Sequence, residues 1–170
     1  MASLPAWRDY HGWVAQLGKH SRCRQARLHL LAAGQEAVPA IKRGLCHQEP
    51  MVRRQCVNLL DHLLDDGAVQ ALVEAIDDPD DQVAARALHA LACDRCKQGE
   101  CRPAEDLWVP RALELLSSAR IDLRAGAIDA LGKVAVRLPE VAAALARSAA
   151  KDPDKGLRGQ ARRFVPTGVP

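Results

Sequence analysis

Residues 78–92 read DPDDQVAARALHALA, and this stretch decides the fold because its pattern recurs along the chain. The pattern is an apolar residue, a small residue four positions later and a second apolar residue eight positions after the first. In this stretch the three are Val83, Ala87 and Leu91. Spacings of four and eight place them on one stripe of an α-helix, where the small residue lets a neighbouring helix approach. We therefore expect a helix whose apolar face must be covered.

The same triplet recurs in the segments 47–63, 118–135 and, more weakly, 152–165. Near each triplet lies a second apolar series with spacings of three and seven, such as Val69, Leu72 and Ile76. Each repeat unit is thus predicted to be a pair of helices: a first helix that carries the triplet and a second helix that carries the other series. Because one pair cannot bury its own apolar stripe, the pairs must stack into an all-α solenoid.

The composition agrees with a helical globular chain. The 170 residues are 48% apolar but only 3% aromatic, and Thr167 is the only threonine, which argues against a β fold. No apolar run reaches the length of about 18 residues that a membrane span needs, and the first residues lack the order of a signal peptide. We expect one cytoplasmic domain over residues 1–170, with a capping helix within residues 1–20.

The charge is distributed in blocks of opposite sign. The net charge of +3 is the sum of +6 in residues 1–54, −8 in residues 55–81 and +5 in residues 82–170. A uniformly basic chain would point to nucleic acid, whereas opposite blocks within one small domain favour protein partners.

One repeat unit contains an insertion rich in cysteine. From the first anchor of the first helix to that of the second helix the chain covers 17 residues in the second unit (52 to 69) and 26 in the third (83 to 109). The additional residues lie in a predicted loop at 93–107, which begins with the sequence CDRCKQGEC. Three of the six cysteines fall there.

This loop predicts a metal site. The pair Cys93 and Cys96 has the Cys-x-x-Cys spacing at which two thiolates reach one tetrahedral ion, and Lys97-Gln98-Gly99 supplies a turn that can bring Cys101 to the same ion. His89 lies one helical turn before Cys93 and is the best fourth ligand. We predict a structural zinc ion held by His89, Cys93, Cys96 and Cys101, because a segment with few apolar groups needs another source of folding free energy.

Several alternatives stay open for the cysteines. The fourth ligand could be Cys46, His47 or His62 instead of His89. The thiols could also hold an iron–sulfur cluster, form a disulfide, stay unpaired or serve as a thiol or metal sensor. A catalytic metal is disfavoured, and no phosphate-binding loop or nucleophile motif occurs, so we expect no enzymatic activity and no small-molecule substrate.

The pattern of Asp-Pro-Asp, then apolar-Arg-x-x-small-x-x-x-Leu, then a second amphipathic helix resembles HEAT repeats, in particular the short bacterial kind. The resemblance covers roughly residues 20–165. Arg53, Arg124 and Arg158 match the arginine of the family, and Ala84 departs from it. The resemblance implies an α-solenoid of about four to five helix pairs. It also implies arginine–aspartate pairs that hold neighbouring units together, and a concave face, lined by the second helices, that binds a protein partner.

Other functions are known among proteins with similar repeats. Some are DNA-repair glycosylases, and the basic ends of this chain favour a nucleic-acid partner, whereas the acidic stretch 61–81 opposes it. Others are phycobilin lyases, although no chromophore-binding motif supports that function here. We therefore expect the protein to be a non-enzymatic protein-interaction scaffold.

Overall fold

The computed structural model describes residues 3–93 and 103–165, and within these ranges the protein is entirely helical. This confirms the predicted all-α fold. None of the helices in these ranges combines the length and the apolarity that crossing a bilayer requires. The α-helices are α1 (Tyr10–Gln16), α2 (His20–Ala33), α3 (Val38–Gly44), α4 (Pro50–His62), α5 (Asp66–Glu74), α6 (Asp81–Ala92), α7 (Val109–Leu115), α8 (Ile121–Gly132), α9 (Pro139–Lys151) and α10 (Lys155–Arg162).

The helices follow the predicted pairing. The pairs α2/α3, α4/α5, α6/α7 and α8/α9 follow one another, and α10 supplies a fifth first helix. First helices of neighbouring units pack directly against one another, as α4 does on α6, α6 on α8 and α8 on α10. Each second helix packs against the first helix of the next unit. The described chain is therefore an α-solenoid of two helical layers.

The predicted triplet faces the core. Val83 and Ala87 are completely buried, and Leu91 is 3% exposed. Close approach of the first helices depends on small residues, because a Cβ added at Gly126 of α8 would lie only 2.9 Å from the Cβ of Ala85 on α6. Leucine or valine at that position would separate the two helices.

The helix α1 precedes the first helix pair and lies against it. α1 packs against α2 and α3. Its Trp13 is buried and stacks on the His29 ring of α2, with ring centroids 4.2 Å apart. The helix begins after Asp9, whose carboxylate accepts a hydrogen bond from the Gly12 backbone N–H. A capping role for residues 1–20, like the single-domain organisation over residues 1–170, stays a prediction.

Buried arginine–aspartate pairs join neighbouring units. Arg53 on α4 donates from Nε and Nη2 to the Asp78 carboxylate, with distances of 2.7 and 2.8 Å. Arg124 on α8 makes the equivalent pair with Asp152, at 3.0 and 3.3 Å. Each aspartate precedes the first helix of the following unit, so both pairs tie one unit to the next. The role implied by the resemblance is confirmed for these two arginines.

The same arginines hold the turn that precedes their own helix. Nη1 of Arg124 donates to the carbonyls of Ser118 and Ala119. Arg158 repeats this arrangement with the carbonyls of Asp152 and Pro153, but the described structure gives it no partner carboxylate. The third arginine therefore orders its own turn without linking two units.

Candidate functional site

A groove of about 540 Å³ crosses the solvent-facing side of the five first helices, from Arg27 on α2 to Gln160 on α10. Its walls come from residues one helical turn apart on each helix, such as Gln82, Arg86 and His89 on α6. These positions lie opposite the apolar triplet, so the periodicity that buries one stripe of α6 exposes the other. Ala85, Ala125 and Gly126 also line the groove.

The groove contains charges of both signs. Three carboxylates line it, those of Asp61, Asp122 and Asp129, against two guanidinium groups, those of Arg27 and Arg86. Asn58 accepts a hydrogen bond from Arg86 at 3.1 Å, and Asp129 accepts one from Gln160 at 3.3 Å. This lining differs from the uniformly basic groove that binds a phosphate backbone.

The second helices flank a smaller cavity of about 380 Å³ between α7 and α9. Glu140, Arg147 and Lys151 contribute charged groups of both signs to it. The resemblance placed the partner-binding face on this layer.

A cluster of metal-ligating side chains lies where α4 and α6 end, beside the groove. Asp61, His89 and Cys93 each contribute one ligand atom, and these three atoms lie within 4.8 Å of one another. The helix α4 supplies Asp61, α6 supplies His89, and Cys93 follows the last residue of α6. The structure thus brings together two of the four predicted ligands, His89 and Cys93. The other two, Cys96 and Cys101, lie outside the described residues.

The cluster combines buried and accessible groups. Cys93 is 6% exposed, whereas the His89 side chain is exposed in the groove. Oδ1 of Asp61 is buried and has no hydrogen-bond partner within the described residues. Lys133 Nζ lies 3.5 Å from Nδ1 of His89, so an ammonium group faces the cluster from α8.

Sequence reasoning did not identify Asp61. It considered His62 instead, whose position in the second unit corresponds to that of Cys93 in the third. The structure places His62 in the groove but brings its neighbour Asp61 to the cluster. The repeat register does not single out Asp61, because Asp61 lies nine residues after Val52 whereas Cys93 lies ten residues after Val83.

The other described cysteines stand apart from this cluster. Cys23, Cys46 and Cys56 are free thiols, as is Cys93 of the cluster. Burial raises the pKa of the Cys56 thiol to about 12, so it stays protonated near neutral pH and is unsuited to bind a metal or act as a nucleophile. Nδ1 of His47 accepts a hydrogen bond from the Glu49 backbone N–H at 3.0 Å.

The fold and the groove define the class of protein, an α-solenoid built of stacked helix pairs. Residues 19–92 match the family model of HEAT repeats, which confirms the resemblance over this part of the chain. The match includes α2 to α6, and with them Asp61 and His89 of the cluster.

Solved structures show the same fold over nearly the whole chain. One is a chain in the complex of CpcE and CpcF of phycocyanin lyase from Nostoc sp. PCC7120, with a TM-score of 0.73 and 18% identity over 91% of this chain and 96% of that one. Another is an engineered protein, with a TM-score of 0.59 and 19% identity over 92% of this chain and 77% of that one. No curated protein matches the chain in sequence. At these identities the likeness concerns the fold alone.

Proposed function

We propose that this protein is a non-enzymatic cytoplasmic scaffold that binds a segment of a protein partner in the groove of the first helices. The observation that carries the proposal is the groove itself, which crosses five helices and is lined by charged side chains of both signs. HEAT repeats, and a structural neighbour solved as a complex of two proteins, support a protein as the partner.

The shape of the groove suits an extended segment. Packed helices lie about 8–10 Å apart, so five successive first helices span roughly 35 Å. An extended chain advances about 3.4 Å per residue, and about ten residues would cover that length. Direct packing between first helices also supports placing this layer on the inner side of the stack, although the resemblance implies that the second helices line the concave face.

The charges of the groove favour protein over nucleic acid. Its three carboxylates would repel a phosphate backbone, and its two arginines do not outnumber them. A peptide offers amide, cationic and anionic groups together, which is the combination that this lining can pair. We therefore place the glycosylase-like alternative second to the scaffold.

A subunit of a lyase is another candidate, and its support is the likeness to a chain of the phycocyanin lyase complex over most of both chains. A scaffold and a lyase subunit differ in their ligands. On the scaffold proposal, a phycobilin added to the protein keeps its free absorption spectrum, whereas a lyase subunit would bind the pigment and shift that spectrum.

The inserted segment at 93–107 has a structural part in this proposal. We propose that a zinc ion held by His89, Cys93, Cys96 and Cys101 orders it beside the groove. The donor chemistry of His89 and Cys93 suits zinc, and their proximity in the structure supports the site. The alternative is a thiol or metal sensor, in which these residues bind the metal ion reversibly.

Charge reversal in the groove tests the scaffold proposal. The double substitution Asp122→Arg/Asp129→Arg changes two exposed groove residues of α8. The control Glu74→Arg/Glu140→Arg makes the same change in net charge on two exposed positions of the second helices. We expect the wild-type protein and the control to enrich the same protein from an extract of the native cells, and the groove variant to lose it by at least about tenfold.

The measurement is quantitative mass spectrometry of the retained proteins, with circular dichroism to check that both variants fold. Equal retention by the groove variant and the wild type would contradict binding in this groove. Loss of the partner from the control alone would assign binding to the second helices.

A further inference from the structure

Asp61 is the member of the metal cluster that the cysteine-rich segment does not account for. It belongs to α4, in the unit before the insertion, whereas His89 and Cys93 belong to the unit that carries the insertion. The three ligand atoms lie within 4.8 Å of one another, so the side chains of two repeat units meet at one point.

One carboxylate oxygen of Asp61 has no hydrogen-bond donor within the described residues. This oxygen is Oδ1, and it is buried. A carboxylate oxygen removed from water without a donor is unfavourable, and buried polar atoms in native proteins are nearly always satisfied. A cation bound between Asp61, His89 and Cys93 would supply the missing partner.

The spacing and the donor atoms suit a zinc-type ion. In tetrahedral sites with metal–ligand bonds of about 2.0–2.3 Å, ligand atoms lie about 3.3–3.8 Å apart. Atoms already within 4.8 Å reach this spacing by small side-chain rotations. A thiolate, an imidazole and a carboxylate together favour Zn²⁺ or Co²⁺ over Mg²⁺ and Ca²⁺, which prefer oxygen ligands alone.

We infer that Asp61 is a direct ligand of the metal ion, and that the metal centre joins the first helices of two neighbouring units. The inference rests on the proposed zinc site and changes its ligand set, since a carboxylate from α4 takes a position that the sequence assigned to the insertion. The ion would act at the C-terminal ends of α4 and α6. At the N-terminal end of α4, the pair of Arg53 and Asp78 already joins the same two units.

The centre also opens to the proposed binding surface. Asp61 and His89 both line the groove, so an ion enters from there without unfolding of the repeat. Lys133 would place a positive charge close to that ion, through its contact with His89. Metal occupancy therefore changes the charge of the groove where α4 and α6 end.

Substitution of the carboxylate tests the inference on the full-length, reduced chain after removal of metal with a chelator. Asp61→Asn keeps the size of the side chain and removes its charge, and Asp129→Asn makes the same change in the groove on α8. We expect Asp61→Asn to weaken Zn²⁺ binding on the order of 100-fold, as measured by competition with a chromophoric chelator. We expect Asp129→Asn to change it by less than about twofold.

Other outcomes separate this inference from the proposed zinc segment. Unchanged zinc affinity in Asp61→Asn, with a large loss in Cys96→Ser, would overturn the role of Asp61 and leave the segment as a metal site. Absence of zinc binding by the wild-type protein would overturn both.

A second variant gives a spectroscopic readout. Asp61→Cys replaces the carboxylate with another metal ligand, so the Co²⁺ form should retain its affinity and show a stronger thiolate-to-cobalt charge-transfer band than the wild type. A band of unchanged intensity would mean that residue 61 does not bind the ion.

Discussion

Replacing Arg124 with alanine should lower the free energy of unfolding by about 3–5 kcal/mol. Its partner Asp152 has only 3% of its side chain exposed, and the substitution leaves this carboxylate buried without its cation. The carboxylate would keep its hydrogen bond from the Asp154 backbone N–H but lose both bonds from the guanidinium. Urea denaturation followed by circular dichroism measures the change.

The chain supplies a matched control for this prediction. Arg158 occupies the same repeat position and bonds the carbonyls of its own turn in the same way, but the described structure gives it no carboxylate partner. Arg158→Ala should cost about 1 kcal/mol, the contribution of hydrogen bonds near the surface. Equal losses in the two variants would contradict a stabilising role of the buried ion pair between the units.

The second large effect concerns Trp108, which follows the cysteine-rich segment. Its side chain is 1% exposed and belongs to the continuous core, so Trp108→Ala should destabilise the protein by about 3–5 kcal/mol. Trp7 is 66% exposed, and Trp7→Ala should cost less than about 1.5 kcal/mol, mainly from its edge-on contact with His29. Chemical denaturation of both variants checks the contrast.

A conservative variant separates packing from polarity at the same position. Nε1 of Trp108 is buried and has no hydrogen-bond partner in the described part of the chain. Trp108→Phe keeps most of the apolar volume and removes this unsatisfied donor, so it should cost less than about 1.5 kcal/mol. A loss as large as that of Trp108→Ala would contradict a packing role.

The repeat pattern predicted the fold because one physical requirement determines it. Val83, Ala87 and Leu91 must lie on one stripe, and covering that stripe requires a neighbouring helix. The pattern also contains the arginine positions, and the resemblance to HEAT repeats implied that Arg53 and Arg124 pair with aspartates. The triplet recurs in four segments and the arginine in three of them, so both are visible without coordinates.

Contacts outside the repeat pattern were not predictable. The third unit has Ala84 where the second, fourth and fifth units have arginine, yet Arg120 reaches back to join the third unit to the fourth. Arg120 contacts the Asp81 carboxylate at 2.7 Å and donates to the Pro79 carbonyl at 3.1 Å. A helical period assigns a residue to a face, but it does not tell which long side chain crosses to the next unit.

The candidate metal centre shows the same limit. Its ligands His89 and Cys93 belong to one segment, and their spacing of four residues made their proximity predictable. Asp61 comes from another unit and reaches them only because α4 packs against α6. Its approach depends on the offset between two packed helices, and the sequence does not encode that offset as a spacing.

The central claim, that a protein partner lies in the groove of the first helices, is tested most directly by photocrosslinking in living cells. A photoreactive residue replaces Gln82, which is exposed in the groove, or Arg147, which is exposed on the second helix α9. The account predicts a discrete protein adduct from position 82 and none from position 147. An adduct from position 147 alone would contradict it and place the partner on the layer of second helices.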